Sequence, residues 1–191
     1  MINDLVSSLQ GIDYRLLSHA VNLTNQYGWL HDFVYFCAQL LIFVLPVLLI
    51  ILWELPEAKG SKHGTKKAVM LAVMSALLGT ALKSVINVVW ARPRPFITHT
   101  DLVAMTFKVD AASFPSGHTM LAFALAFSLV FSGYKKSGWC AVILAVLVGL
   151  GRIFSGVHYP SDVLAGAVIG VAAAWWLHRE ASSIKKYLPD R

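Results

Sequence analysis

Long apolar runs with very few charges constrain this chain more than any other feature. Five of them, at about residues 29–54, 68–90, 115–134, 139–157 and 161–178, approach or exceed the ~18–20 apolar residues that a helix needs to cross a bilayer. In hydrocarbon every backbone N–H and C=O must be satisfied within the chain, so runs of this length fold as helices. Composition agrees: 57% of the 191 residues are hydrophobic and 14% are charged, where an average soluble domain carries about 25% charged residues. The expected fold class is all-α, an integral membrane helical bundle of about five transmembrane helices in one domain. Trp29, Trp53, Trp90, Trp139, Trp175 and Trp176 all fall near the ends of these runs, where amphipathic rings prefer the headgroup level.

Three parts follow in order: residues 1–28, a transmembrane core over 29–178, and a tail over 179–191. In the first part Leu5, Leu9, Ile12, Leu16, Leu17, Ala20 and Leu23 recur at near-helical spacing. That pattern predicts an amphipathic helix lying on the membrane surface. It is not a secretory signal, because Asp4, Asp13 and Arg15 interrupt it where a basic start and an apolar block would be needed. Cys37 and Cys140 sit in or beside separate apolar runs and read as small core residues. Gly166 and Gly170 form a small-xxx-small pair suited to close helix packing.

The net charge of +6 does not point to nucleic acid, since that would need a basic face on a soluble fold. Lys59, Lys62, Lys66 and Lys67 share one short loop, Lys135 and Lys136 another, and Arg179, Lys185, Lys186 and Arg191 the tail. With five spans these three segments lie on one side, which the positive-inside rule makes cytoplasmic. The N-terminal helix, the 91–114 loop and the 158–160 turn then face outward.

That outward side collects the chemistry. It carries Arg92-Pro93-Arg94-Pro95, then Pro115-Ser116-Gly117-His118, then Arg152, His158 and Asp162 in the spacing R-x5-H-x3-D. A phosphoryl group spreads negative charge over its equatorial oxygens during transfer, so positioned cations and N–H groups supply most of its catalysis. Arg94 and Arg152 offer planar forks for phosphate oxygens. Arg92 is either a further phosphate contact or an interfacial anchor. Pro115 can open the third span with Ser113 as its cap, so that N–H groups around Ser116 and Gly117 face an anion. Ser116 adds a hydroxyl, and Gly117 leaves room for close approach. Two histidines suit the two proton-linked roles, covalent nucleophile and acid. Asp162, four residues after His158, can hold one ring nitrogen and leave the other free to attack; it can equally serve as a helix cap. His19, His31, His63, His99 and His178 read as solvated or interfacial residues, and Asp101, Lys108 and Asp110 as loop-solvating charges. A zinc site at His118, His158 and Asp162 would occupy the attacking nitrogen and leave the arginines without a purpose, so no metal or other cofactor is expected.

In this order, these three elements resemble the type 2 phosphatidic acid phosphatase superfamily, which includes lipid pyrophosphatases and vanadium haloperoxidases. The resemblance covers about residues 83–162. It implies that His158 forms a phosphohistidine and that His118 protonates the leaving oxygen and later activates water, without a metal. The first element of that superfamily usually reads K-x6-R-P. Counting back from Arg94, the lysine position holds Asn87, and Lys83 lies one turn deeper on the same face. An ionisable residue at that depth is a functional candidate, and Lys83 could extend past Asn87 to the phosphate. Gly151 stands where serine often precedes the motif arginine.

The 92–118 stretch looks most like bacterial undecaprenyl-pyrophosphate phosphatases. That likeness implies a lipid pyrophosphate substrate, a bacterial inner-membrane location and a site on its outer face. Phosphatidylglycerol-phosphate, phosphatidic acid and lipid A phosphatases share the same core. A protein that binds or transports phospholipid headgroups is the alternative from another class. The sequence leaves the oligomeric state open.

Overall fold

The computed structural model describes residues 2–54, 64–102, 104–105 and 112–187, with side chains from residue 8 to residue 183 of those stretches. Lys59, Lys62, His63, Lys108, Asp110 and Arg191 lie outside the described residues, and the side chains of Leu5, Lys185 and Lys186 lie outside the described side chains. The elements are α1 (Ile2–Gln26), α2 (Gly28–Tyr35), a π-helical turn (Phe36–Leu40), a 3-10 turn (Leu41–Phe43), α3 (Val44–Glu54), α4 (Thr65–Val89), the short α5 (Pro95–Thr98), α6 (Gly117–Phe131), α7 (Lys135–Phe154) and α8 (Pro160–Tyr187). No strand forms among the described residues; a single bridge pairs Pro93 with Ala112.

Four segments are long and apolar enough to span a membrane: Gly28–Glu54, Thr65–Val89, Lys135–Phe154 and Pro160–Ser183. The fifth apolar helix, α6, has 15 residues, about 22 Å at 1.5 Å per residue. It forms the centre of the bundle and packs on α4, α7 and α8. Its Met120, Ala122, Ala124, Leu125, Ala126 and Leu129 are buried. Phe43, Ile50, Leu77, Val88, Ile143, Leu164 and Val168 on the surrounding helices are exposed. Apolar side chains facing outward around an apolar centre fit lipid as the solvent. This is a multi-pass membrane protein. All six tryptophans are exposed; Trp29, Trp53, Trp90 and Trp139 sit near helix ends, whereas Trp175 and Trp176 lie along α8, which runs on past them to Tyr187.

Several boundaries differ from those read in the sequence. The first span is not one regular helix: Pro46 has no N–H for the carbonyl four residues back, and the irregular π and 3-10 turns occupy the stretch just before it. Pro115 stays outside α6, which starts at Gly117 with Ser116 as its N-cap. The last helix runs on to Tyr187. His178 is not interfacial but buried, with its ring nitrogens 3.0 Å from Ser132 Oγ and 2.8 Å from the Ala174 carbonyl.

α1 has two faces. Asp13, Leu17, Ala20, Val21 and Thr24, at helical spacing, are buried against the bundle. Leu17 and Val21 form a small core with Leu102 and Tyr159, and the Thr24 hydroxyl reaches the Phe154 carbonyl. Leu9, Ile12, Leu16 and Leu23 stay exposed. The apolar residues seen in the sequence therefore divide between the bundle and the surroundings. A carboxylate lies on the bundle side.

Candidate active site

The α7–α8 turn explains the R-x5-H-x3-D spacing. α7 ends at Phe154 with Ser155 as its C-cap, and Gly156 takes a positive φ of 73°, a conformation that costs other residues strain. The N–H of Gly156 donates to the Ile153 carbonyl and that of Val157 to the Arg152 carbonyl, the pairing of a Schellman turn. The His158 N–H also reaches the Arg152 carbonyl, at 3.3 Å. The chain is thus folded back so that His158 lies over the start of the motif. Tyr159 precedes α8, and Asp162 in the first turn of α8 accepts from the Tyr159 N–H at 2.9 Å. This is half of a capping box. The cap and the contact with His158 are compatible, because one oxygen serves both.

A second strand of chain supplies the rest. The Pro93–Ala112 bridge and the Ser113 N–H donating to the Arg92 carbonyl at 2.7 Å hold residues 92–94 beside 112–113. Arg94, buried, places Nη1 at 3.0 Å from the Val157 carbonyl and 3.2 Å from His158 Nε2. The Ser113 hydroxyl donates to Asp162 Oδ2 and lies 3.4 Å from His158 Nδ1. Nδ1 and Oδ2 are 3.6 Å apart. Ser113 therefore belongs to the site rather than capping α6. Its sequence position gave no signal of this, since the contact spans 45 residues to His158.

This geometry fixes the tautomer. A guanidinium donates and never accepts, so its contact with Nε2 requires an unprotonated nitrogen there, and the ring proton sits on Nδ1, facing Ser113 and Asp162. Burial pushes the His158 pKa down to about 4, opposed by the Asp162 hydrogen bond and reinforced by the Arg152 and Arg94 charges. At neutral pH the imidazole is uncharged, with the Nε2 lone pair turned toward Arg94 Nη1.

The N-terminus of α6 faces the same place. The Ser116 N–H is taken by the Asp162 carbonyl at 3.0 Å, and its hydroxyl pairs with Thr119 at 3.0 Å. The first-turn amides that follow, from Gly117 to Thr119, have no carbonyl one turn earlier to bond. His118 is half-buried and makes no hydrogen bond to a described residue; Arg152, His158, Arg94 and Lys83 all lie within electrostatic reach of it. Arg152 is buried, donates from Nη1 to the Ala38 carbonyl in the π-helical turn at 2.9 Å, and leaves Nε buried without a partner among the described residues. A Cβ at Gly151 would come within 2.7 Å of the Ala38 backbone nitrogen, so glycine there lets the π-helical turn approach Arg152.

Lys83 reaches the site from α4. A Cβ placed on Gly117 would lie 3.3 Å from Lys83 Cδ, Cε and Nζ, so the missing side chain at 117 makes room for the lysine. Asn87 lies one turn nearer the end of α4, with Oδ1 buried and without a partner among the described residues. Arg92 is committed elsewhere: Nη1 donates to Asp162 Oδ1 at 2.8 Å and Ser161 Oγ at 2.7 Å, and Nη2 to Asp13 Oδ2 at 2.8 Å.

Two arginines, an oriented neutral histidine, a second histidine without a hydrogen-bond partner among the described residues and a helix N-terminus thus converge on one end of the bundle. The sequence pattern of the PAP2 superfamily matches residues 68–183, more than half of the chain. The chain belongs to the PAP2 superfamily. Among the relatives of this PAP2 chain is a protein named bacitracin transport permease protein BcrC from Bacillus licheniformis. It is 34% identical over 170 residues, 87% of this chain and 81% of the relative. The undecaprenyl-diphosphatase BcrC of Bacillus subtilis is 28% identical over 93% of this chain and 88% of its own. The crystal structure of Aquifex aeolicus LpxE superposes with a TM-score of 0.68 at 28% identity, covering 86% of this chain and 93% of that one. Lys83, Asn87, Arg92, Arg94, Ser116, Gly117, His118, Arg152, His158 and Asp162 all fall inside the PAP2 match; α1, with Asp13, lies outside it.

Proposed function

We propose that this PAP2 lipid phosphatase hydrolyses a lipid pyrophosphate, undecaprenyl pyrophosphate above all, to the monophosphate and inorganic phosphate through a phosphohistidine on His158. The observation that carries the reading is the His158 ring, held by Asp162 and Ser113 at Nδ1, with unprotonated Nε2 3.2 Å from Arg94 Nη1. A phosphate oxygen taking up that guanidinium hydrogen would bring phosphorus next to the attacking lone pair.

In the first step Nε2 forms a bond to the terminal phosphorus, and the bond to the bridging oxygen breaks. Once the substrate's phosphates bring negative charge beside it, His118 can carry the proton that the leaving lipid monophosphate takes. Positive charge developing on the His158 ring is met by Asp162. Arg94, Arg152, Lys83 and the amides at Gly117 and His118 balance the charge moving onto the phosphoryl oxygens. Asn87 and the Ser116 hydroxyl stand at the edge of this cradle. Water then attacks the phosphohistidine while His118, now neutral, accepts its proton; phosphate departs and Nε2 is bare again. Both Asp162 oxygens are occupied by Arg92, Ser113 and the Tyr159 N–H, so the anion cradle is built from cationic side chains and a metal ion is not needed.

The substrate follows the relatives' names and the likeness of residues 92–118 to undecaprenyl-pyrophosphate phosphatases. The basic loops at the opposite end of the bundle support a site on the outer face of a bacterial inner membrane. A transport reading attaches to the name of the Bacillus licheniformis relative, but a site that only binds anions has no need of an imidazole with one nitrogen fixed and one unprotonated. Purified protein in detergent with excess chelator should release phosphate from undecaprenyl pyrophosphate faster than from phosphatidylglycerol phosphate, phosphatidic acid or lipid A. Binding without phosphate release from any of them would favour transport.

A further inference from the structure

Asp13 is a carboxylate from outside the matched stretch that reaches the catalytic network. It is 7% exposed, and each of its oxygens is engaged. Oδ1 accepts from the Ser161 N–H at 3.0 Å, one of the first-turn amides of α8, and Oδ2 accepts from Arg92 Nη2 at 2.8 Å and from the Ser161 hydroxyl. Arg92 then passes Nη1 to Asp162 Oδ1 at 2.8 Å, while its guanidinium lies 3.8 Å over the Tyr159 ring. The chain of contacts runs Asp13, Arg92, Asp162, His158, and it starts on the helix that precedes every motif.

We propose that Asp13 is a positioning residue for phosphoryl transfer, acting through Arg92 and Asp162 to set the His158 ring. This rests on the phosphatase reading above. One guanidinium here serves two carboxylates, each from a different direction. With Asp13 neutral, Arg92 keeps a single anionic partner, and a guanidinium prefers to meet a carboxylate with two parallel N–H groups. A cavity of about 380 Å³ beside it, lined by Tyr14, Arg92, Thr98, His99 and Tyr159 among others, leaves the guanidinium room to turn. Rotation toward a two-pronged grip on Asp162 would draw Oδ2 away from Ser113, the Tyr159 amide and Nδ1. A displacement on the 1 Å scale at a reacting group costs about a hundredfold in rate, and the phosphate cradle itself would be left intact.

The test is Asp13→Asn in the full-length protein, assayed in detergent for turnover of a lipid pyrophosphate and for phosphoenzyme formation. Asparagine keeps the shape, but its amide cannot satisfy both Arg92 and Ser161 as the carboxylate does. The expected result is a fall of about tenfold or more in kcat with KM within about threefold. The loss should also shrink to about twofold or less when the same change is made in Asp162→Asn protein, because the two act in series. An unchanged kcat, or a full loss persisting in the Asp162→Asn background, would overturn the inference. If Asp13→Asn does not fold, Ser161→Ala replaces it: the same kcat-only loss and the same dependence on Asp162 are expected, and their absence counts against the proposal. Failure of the underlying reading looks different, since wild-type protein would then form no phosphohistidine at all.

Discussion

Because burial and two neighbouring guanidiniums hold the His158 pKa down at about 4, well under its ordinary 6.5, the nucleophile is deprotonated across the whole neutral range. A depressed pKa on an attacking base moves its acid limb to lower pH. With a substrate whose leaving group is good enough to need no proton from His118, phosphoenzyme formation should stay level from pH 7 to about pH 5 and fall only as the pH nears about 4. Rapid-quench rates across that range check this, and a midpoint near 6.5 would mean the ring is solvated. The sign for stability is the same: between about 6.5 and 4 the unfolded chain binds a proton that the folded one refuses, so this group's contribution is lost as pH falls through that window. Lys83 belongs to the same scale. Its Nζ lies against Gly117 rather than in lipid, so Lys83→Met should lower kcat/KM about ten- to hundredfold, measured as phosphate release. An unchanged value would remove Lys83 from the cradle.

At the scale of elements, the placement of α6 decides where the anion sits. Its N-cap Ser116 is wedged between the Asp162 carbonyl and Gly166, where an added Cβ would stand 2.6 Å from the Ser116 carbonyl, and Gly170 meets the Met120 carbonyl in the same way. α6 therefore begins about one turn inside the start of α8. Gly166→Ala should destabilise the bundle by about 1–3 kcal/mol and lower activity more than stability alone explains, because it pushes the amides of Gly117 and His118 away from His158. Thermal unfolding in detergent together with kcat gives both quantities. The small-xxx-small pair was legible in the sequence; its target, the start of α6, was not. Local features were read well: R-x5-H-x3-D is a single turn and a helix start, and chain connectivity alone brings its members together. Ser113, Asp13 and the Ala38 carbonyl were missed as site components because each meets its partner across 45 to 148 residues. Periodicity carries no information about such meetings. The π-helical turn had one local signal, Pro46, inside an otherwise uniform apolar run.

For the whole molecule, hydropathy was sufficient to give the all-α membrane bundle, since lipid-facing apolar surfaces leave few alternatives. It could not place helix ends better than a turn, nor show that α1 docks through a buried carboxylate. The bundle has a catalytic end, with α1, α5 and the α7–α8 turn, and an opposite end with Lys66, Lys67, Lys135 and Lys136. If the basic end is cytoplasmic, Thr100→Cys in protein lacking Cys37 and Cys140 should react with a membrane-impermeant maleimide in intact cells, whereas Lys135→Cys should not. The reverse labelling pattern would turn the molecule over and put the site inside. The central claim is covalent, and one measurement reaches it directly: lipid pyrophosphate labelled in its terminal phosphate, mixed with purified protein and quenched in base within milliseconds. The account predicts acid-labile, base-stable label on His158, absent in His158→Ala protein that has also lost turnover. Full turnover by His158→Ala, or label at any other residue, would contradict it.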